Sequence, residues 1–483
     1  MAEAEAVCGH LDGLMGSMGK CFRRWEPRIQ ARKYVRALMS DLPRKNCWTI
    51  AEHAGDATPG RMQHLLERAK WDTMAAMAAV RGFVCGHLED GDAVAILDES
   101  GQEKKGTATV GVKRQYVGCA GRVSNAINVV YCSFATQAGH ALVGARPYLP
   151  REWAADPDRR ARAAVPEEIV FATKPELGRQ ILADLHAEAR LPGWVTGDEV
   201  YGRDPGLRAW LETDQVSTGY VLGIAKSTRL ALSPVTTARA DSALKTLIAS
   251  DWVIDSCGAG SKGECRYAWA WVGTVDPRHH LLIRRSLVSN TKGIRELAFY
   301  LCFAPAGRPV TLRALIRVAG RRWPVEEDFQ VGEDAFGLDH SQVRTYPALL
   351  RHLVLAMESP GRGRRYRRPS TRQRWPRAPA DQPRPGTTSR SGADSAHRCR
   401  GETPGQPTHP NLAQHRAPSA LAHLAATPPS PRLLVPPPGP PQPPMTRSRS
   451  TTAVLGRQSV RRRLRILSKA ARAVSSASSR VWR

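Results

Sequence analysis

Two acid pairs stand at matching points of two similar segments, 100 residues apart. Ala93-Val94-Ala95-Ile96-Leu97 runs into Asp98-Glu99-Ser100, and Trp194-Val195-Thr196-Gly197 runs into Asp198-Glu199-Val200. A third acid, Glu326, follows Arg322-Trp323-Pro324-Val325, where Pro324 suits the first turn of a helix. Three carboxylates in one cleft repel one another and raise each other's pKa unless cations neutralise them. Hard oxygen donors suit Mg²⁺ or Mn²⁺. Two such ions, roughly 3.5–4 Å apart, activate a water or a 3′-hydroxyl and stabilise the leaving oxygen in phosphodiester cleavage. Asp98, Asp198 and Glu326 are therefore the candidate metal ligands and catalytic residues. Glu99 and Glu199 compete as solvent-facing or positioning groups, and Glu327 and Glu333 compete with Glu326 for the third place.

These acids need elements to place them. The aliphatic run 93–97 has no polar interruption and reads as a strand buried on both faces of an α/β sheet, ending at Asp98 on the sheet's C-terminal edge. The plain alternative is a strand that stops in a solvated turn; the second copy at Asp198 weighs against it. Gly197 and Gly202 allow a tight turn around Asp198 and leave space beside it. Strands are expected at 127–135 and 141–149 as antiparallel hairpins. A helix is expected from Pro175, with Leu177, Ile181, Leu182 and Leu185 on one face. After the Asp198 strand come a helix at 207–211 and a strand at 220–224. The sum is an α/β core, a five-stranded mixed sheet with flanking helices over 91–225. Strand candidates at 268–272, 281–285 and 297–303 make 226–309 a β-rich insertion, and 310–357 returns to the core with the Glu326 helix.

The first 90 residues are helical in period. In one helix Met62, Leu65 and Leu66 form the apolar face, while Arg61, His64 and Arg68 share another. That arrangement suits a helix-turn-helix on DNA; an ordinary solvated basic face on a bundle explains it equally well.

Of the formal charge of +27, the segment 359–483 holds 25 Lys+Arg against 3 Asp+Glu, a net of +22, which leaves 46 against 41 for the rest. That tail also holds 20 of the 36 prolines, so it cannot bury a core and is expected to be disordered. It is either a nucleic-acid-binding tail or coding sequence read out of frame from about 358. The ten cysteines form no CxxC pair and no zinc spacing, which argues for free thiols in a reducing compartment. No apolar stretch approaches the roughly 20 residues of a membrane span, and the N-terminus lacks a signal peptide's basic region. The expectation is a cytoplasmic protein with no membrane partner.

Taken jointly, several motifs resemble bacterial insertion-sequence transposases of the DDE superfamily, most nearly the group numbered seven hundred and one. They are Leu97-Asp98-Glu99-Ser100-Gly101 with Lys104-Lys105-Gly106, Gln115-Tyr116-Val117-Gly118, Tyr148-Leu149-Pro150 with Trp153, Thr173-Lys174-Pro175-Glu176-Leu177, Asp198-Glu199-Val200-Tyr201-Gly202 and Arg322-Trp323-Pro324-Val325-Glu326-Glu327. The resemblance covers about 20–357. It implies a ribonuclease-H-like core with a β-rich insertion before the last catalytic helix, and metal-dependent cleavage and joining of double-stranded DNA at element ends and target. It also implies a nucleoid-associated homodimer on DNA. By position Asp98, Asp198 and Glu326 match the metal-binding acids, and Arg322 matches an arginine that holds a DNA phosphate. Two positions of the family's Tyr, Arg, Glu, Lys signature differ: Ala319 stands at the Tyr and Glu333 at the Lys. The helices that would close the core after Met357 are replaced by the proline-arginine tail. An inactive remnant that only binds DNA is therefore the alternative to a working transposase.

Overall fold

In a computed structural model of the chain, residues 2–88, 91–118, 121–260 and 263–357 are described. The expectations for 358–483 lie outside them. Five helices open the fold: α1 (Ala2–Ser17), α2 (Trp25–Leu38), α3 (Cys47–His53), α4 (Gly60–Glu67) and α5 (Thr73–Leu88). Asn46 caps α3, accepting from the Trp48 and Thr49 amides, which satisfies donors that a helix start leaves open. Met62, Leu65 and Leu66 are the buried residues of α4, as its period predicts. Pro59 is the residue before that helix.

Four strands follow: β1 (Val94–Glu103), β2 (Lys113–Val117), β3 (Arg122–Ala135) and β4 (His140–Pro147). Two short helices, α6 (Arg151–Ala154) and α7 (Pro157–Arg162), lead to α8 (Lys174–Ala187). A reciprocal cap between Thr173 and Glu176 starts α8, and Leu177, Ile181, Leu182 and Leu185 are all buried. Next come β5 (Trp194–Gly197), α9 (Glu199–Gly202), α10 (Pro205–Glu212) and β6 (Gly219–Ile224). The segment beyond supplies β7 (Arg229–Ser233), β8 (Thr236–Arg239), β9 (Val253–Gly260), β10 (Gly263–Gly273), β11 (His279–Ser289) and β12 (Arg295–Phe303). Helices α11 (Leu312–Gly320), α12 (Pro324–Phe336) and α13 (Tyr346–Met357) complete the described chain.

The expected strand at Asp98 does not stop there. β1 runs on to Glu103, because β3 is long enough to pair with it throughout, from Val94↔Ala135 to Glu103↔Ala126, antiparallel. What ends at Leu97 is the parallel partner, β5, whose last pair is Leu97↔Gly197. Asp98 thus sits at the first position where β1 loses its neighbour on that side. The sheet also exceeds the expected five strands: ten belong to it, in the order β2-β3-β1-β5-β6-β12-β11-β10-β9 with β4 on β3. An unpaired edge of β6 would leave backbone donors and acceptors open. β12 takes that edge antiparallel, with Leu301 opposite Leu222, and β11, β10 and β9 follow as successive antiparallel neighbours.

Apolar side chains cover both sheet faces. On one, Ala95 and Leu97 of β1 pack with Ile181, Leu182, Tyr201 and Leu211 of α8, α9 and α10. On the other, Val94 and Ile96 join a cluster with Val325 and Phe329 of α12, Leu315 of α11 and Leu353 of α13. The N-terminal helices share this second cluster through Tyr34, Leu38, Met62 and Leu65. Deep within it the Tyr34 hydroxyl meets His352 Nδ1 at 2.9 Å. Burial holds His352 down at about 4, so the ring is neutral there at physiological pH. No helix among the described residues is long and apolar enough to cross a membrane.

Candidate functional site

Asp98 lies on the β1 face that carries Ile96, directly across from Tyr131 of β3, and is only 7 % exposed. Its Oδ1 accepts the Glu99 amide at 2.9 Å and its Oδ2 faces Arg322 Nη2 at 3.4 Å. Asp198 follows the last residue of β5 and caps α9, with Oδ1 accepting the Val200 amide at 2.8 Å. That short helix presses on β6: a Cβ at Gly202 would stand 1.9 Å from the Gly223 carbonyl oxygen. Neither Gly197 nor Gly202 has positive φ, so close approach to β6, rather than a left-handed turn, is what the glycine at 202 provides. Glu326 stands in the first turn of α12, exposed, with Oε1 3.8 Å from the same Arg322 nitrogen. One guanidinium nitrogen therefore reaches both Asp98 and Glu326, which limits the gap between those carboxylates to the sum of two short contacts.

Charges on two other elements act on Asp98. Burial pushes the Asp98 carboxyl up to about 7; Arg322 works against this, while the charges of Asp198 and Glu326 add to it. Burial also raises Asp198, opposed by the Val200 amide and reinforced by Glu99. A buried carboxyl crowded by other acids is the kind of oxygen donor that a hard cation stabilises. In donor chemistry Asp98, Asp198 and Glu326 fit a divalent ion. In spacing, no three His, Cys, Asp or Glu side chains among the described residues stand close enough to enclose one ion, and Arg322 bridges two of the three acids.

The competing acids have their own partners. Glu99 points to the opposite sheet face, where it accepts from Lys174 Nζ at 2.6 Å and from the Tyr201 hydroxyl at 3.0 Å. Glu199 pairs with Arg203 at the surface. Glu333 accepts from Ser100 Oγ at 2.8 Å. Glu327 lies 3.4 Å from His140 Nε2, and the same ring's Nδ1 bonds Asp328 at 2.8 Å. Asp328 in turn accepts from Ser133 Oγ, so β3, β4 and α12 are joined by one buried polar chain. Sequence reasoning passed over this chain; its signal was Ser133, the one serine inside the mostly apolar run Val129-Val130-Tyr131-Cys132-Ser133-Phe134. Arg61, His64 and Arg68 are all exposed along α4 and its C-terminal cap, on a helix that packs against α2, α3 and α13. They belong to a surface separate from the acids' own contacts.

Residues 17–245 match the family described as DDE superfamily endonuclease, a span that includes Asp98 and Asp198 and ends before Glu326. The chain is also similar to a probable transposase for insertion sequence element IS701 from Microchaete diplosiphon, 26% identical over 260 residues. That alignment covers 52% of this chain and 64% of the relative's length.

Proposed function

We propose that this chain, whose residues 17–245 match the DDE superfamily endonuclease family, is an insertion-sequence transposase that cleaves DNA phosphodiesters at element ends and joins the freed 3′ ends to target DNA. The observation that carries the reading is the buried Asp98 of β1 facing an Arg322 that also reaches Glu326 of α12, with the charge of Asp198 acting on Asp98. Supporting a ribonuclease-H-like core is the central strand order β4-β3-β1-β5-β6, with β3 antiparallel to β1 and with β5 and β6 parallel.

Asp98, Asp198 and Glu326 would hold divalent metal, Mg²⁺ or Mn²⁺. When bound, two such ions supply activation of the attacking oxygen and stabilisation of the leaving one. The chain's own residues do the rest. Asp98 is held by the stiff ladder of β1 and β3, and the α9 cap holds Asp198. Arg322 keeps Asp98 and Glu326 from repelling each other, and its guanidinium would be the group that faces a DNA phosphate beside them. Arg61, His64 and Arg68 of the N-terminal helices would track the DNA backbone.

A second reading, a remnant that binds DNA without cutting it, is favoured by the acids' spacing and by Ala319 and Glu333 at signature positions. Nicking of duplex DNA bearing the element's ends in Mg²⁺ separates the two. The expected result is cleavage by the unmutated chain and at least about a thousandfold loss in Asp98→Ala, in line with removing a charge-stabilising group. Absence of cleavage by the unmutated chain would establish the remnant.

A further inference from the structure

Alternate residues of a strand share a face, and the face of β1 that carries Asp98 continues through Ser100 and Gln102, which are 6 % and 2 % exposed. Each of the three meets a different point of 322–338. Arg322 lies against Asp98, Ser100 Oγ donates to Glu333 Oε1 at 2.8 Å, and Gln102 Nε2 donates to the Leu338 carbonyl at 3.1 Å. The strand therefore grips α12 ahead of its first turn, within it and just past its end.

The three grips differ in kind. The first joins groups of the site itself, and the third reaches backbone beyond the helix. The middle one is a side-chain bond from inside α12, seven residues after Glu326, which at 3.6 residues per turn puts Glu333 and Glu326 on the same side of the helix. Asp328, bonded by Ser133 of β3 and His140 of β4, ties the side of α12 that faces those strands, but between β1 and the side of α12 that carries Glu326 the inward tie is Ser100 to Glu333; the Tyr131 and Phe329 rings, with centroids 5.2 Å apart, add apolar contact. Apolar contact sets a distance but is non-directional; a hydrogen bond weakens steeply off its axis.

We infer that Ser100 and Glu333 are a positioning pair whose hydrogen bond fixes the rotation and register of α12 on β1, and so the placement of Glu326 relative to Asp98. The inference rests on the transposase reading and extends it: Glu333 acts through Ser100, as an acceptor, and not through its charge on metal or DNA. The acid at a position where the resembling transposases carry lysine is, in this chain, exchanged for an internal tie.

The test uses the full-length chain with Ser100→Ala, Ser100→Thr, Glu333→Ala and Glu333→Gln. Three readouts apply: nicking of supercoiled plasmid in Mg²⁺, plasmid affinity, and amide hydrogen exchange across α12. Because small displacements of reacting groups are costly, Ser100→Ala and Glu333→Ala are each expected to slow nicking about tenfold. They should leave plasmid affinity unchanged and speed exchange in α12, and the double alanine variant should be no worse than either single. Glu333→Gln and Ser100→Thr, which keep acceptor and donor, should stay within about twofold of the unmutated chain. Two results overturn the pair: Ser100→Ala matching the unmutated chain in rate and exchange, or Glu333→Gln as impaired as Glu333→Ala. If the unmutated chain does not nick at all, the transposase reading fails, and exchange in α12 across the four variants still decides whether the bond sets its register.

Discussion

Burying a carboxylate costs stability unless something takes up its charge, and among the described residues the cation that faces Asp98 is Arg322. Its carboxyl is pushed up to about 7 from an ordinary 3.8. Between those values the folded chain keeps a proton that the unfolded chain has released. The stability that the protonated acid confers is therefore fully present below about 4 and is lost as pH rises through 7. In chelator, Asp98→Asn should be nearly neutral at pH 4 and gain on the order of 2–4 kcal/mol by pH 8. Urea unfolding at a series of pH values measures this, and a gain independent of pH would mean that burial of the charge is not the cause. Asp98 stood out in the sequence because the aliphatic run that leads into it has a second copy leading into Asp198. The work of Glu99 was not legible. Its partners, Lys174 and Tyr201, come from segments 75 and 102 residues away, and nothing local to Glu99 signals them.

At the scale of elements, α12 is clasped from two sides, by β1 and by the chain from Ser133 through Asp328 to His140. Burial pulls His140 down, but its bond to Asp328 and the charges of Asp328 and Glu327 outweigh that and leave it above the ordinary 6.5. A raised histidine contributes stability that is complete below about 6.5 and disappears as pH climbs through its folded value. His140→Gln keeps a donor without the charge, so it should cost about 1–2 kcal/mol at pH 5.5 and progressively less toward alkaline pH. Thermal unfolding across that range reads the difference, and an equal cost at both ends would assign His140 to packing alone. Local period made α4 and α8 readable, because a helix's buried face repeats within one turn, and Pro324 marked the start of α12. The strands at 268–272, 281–285 and 297–303 were readable too, but not their destination. Pairing between β12 and β6 joins residues such as Leu301 and Leu222 across a long stretch of chain, and alternation along one strand carries no information about which edge it will meet. For that reason five strands were expected where ten share one sheet.

For the whole molecule, the charge distribution bears on how it would meet the proposed DNA partner. The segment 359–483 carries a net of +22, leaving +5 for the part that holds the candidate site. Counterion release depends on how many phosphates are neutralised and not on why the arginines are there. Whether 24 arginines were selected or came from a shifted frame, they will bind polyanions. Removing 358–483 should therefore lower affinity for arbitrary duplex DNA about a hundredfold near 50 mM salt, and should flatten the dependence of log affinity on log salt by several units. The proposed chemistry lies elsewhere, on Asp98 of β1, Asp198 after β5 and Glu326 of α12, so the nicking rate of DNA-saturated protein should not change. Binding isotherms at four or five salt concentrations supply the slope. An unchanged slope would mean that exposed residues of the helical part, Arg61, His64 and Arg68 among them, already account for the phosphates contacted. A fall in the saturated rate would instead make the tail part of the working site, which its place in the chain, after the last acid, gives no reason to expect.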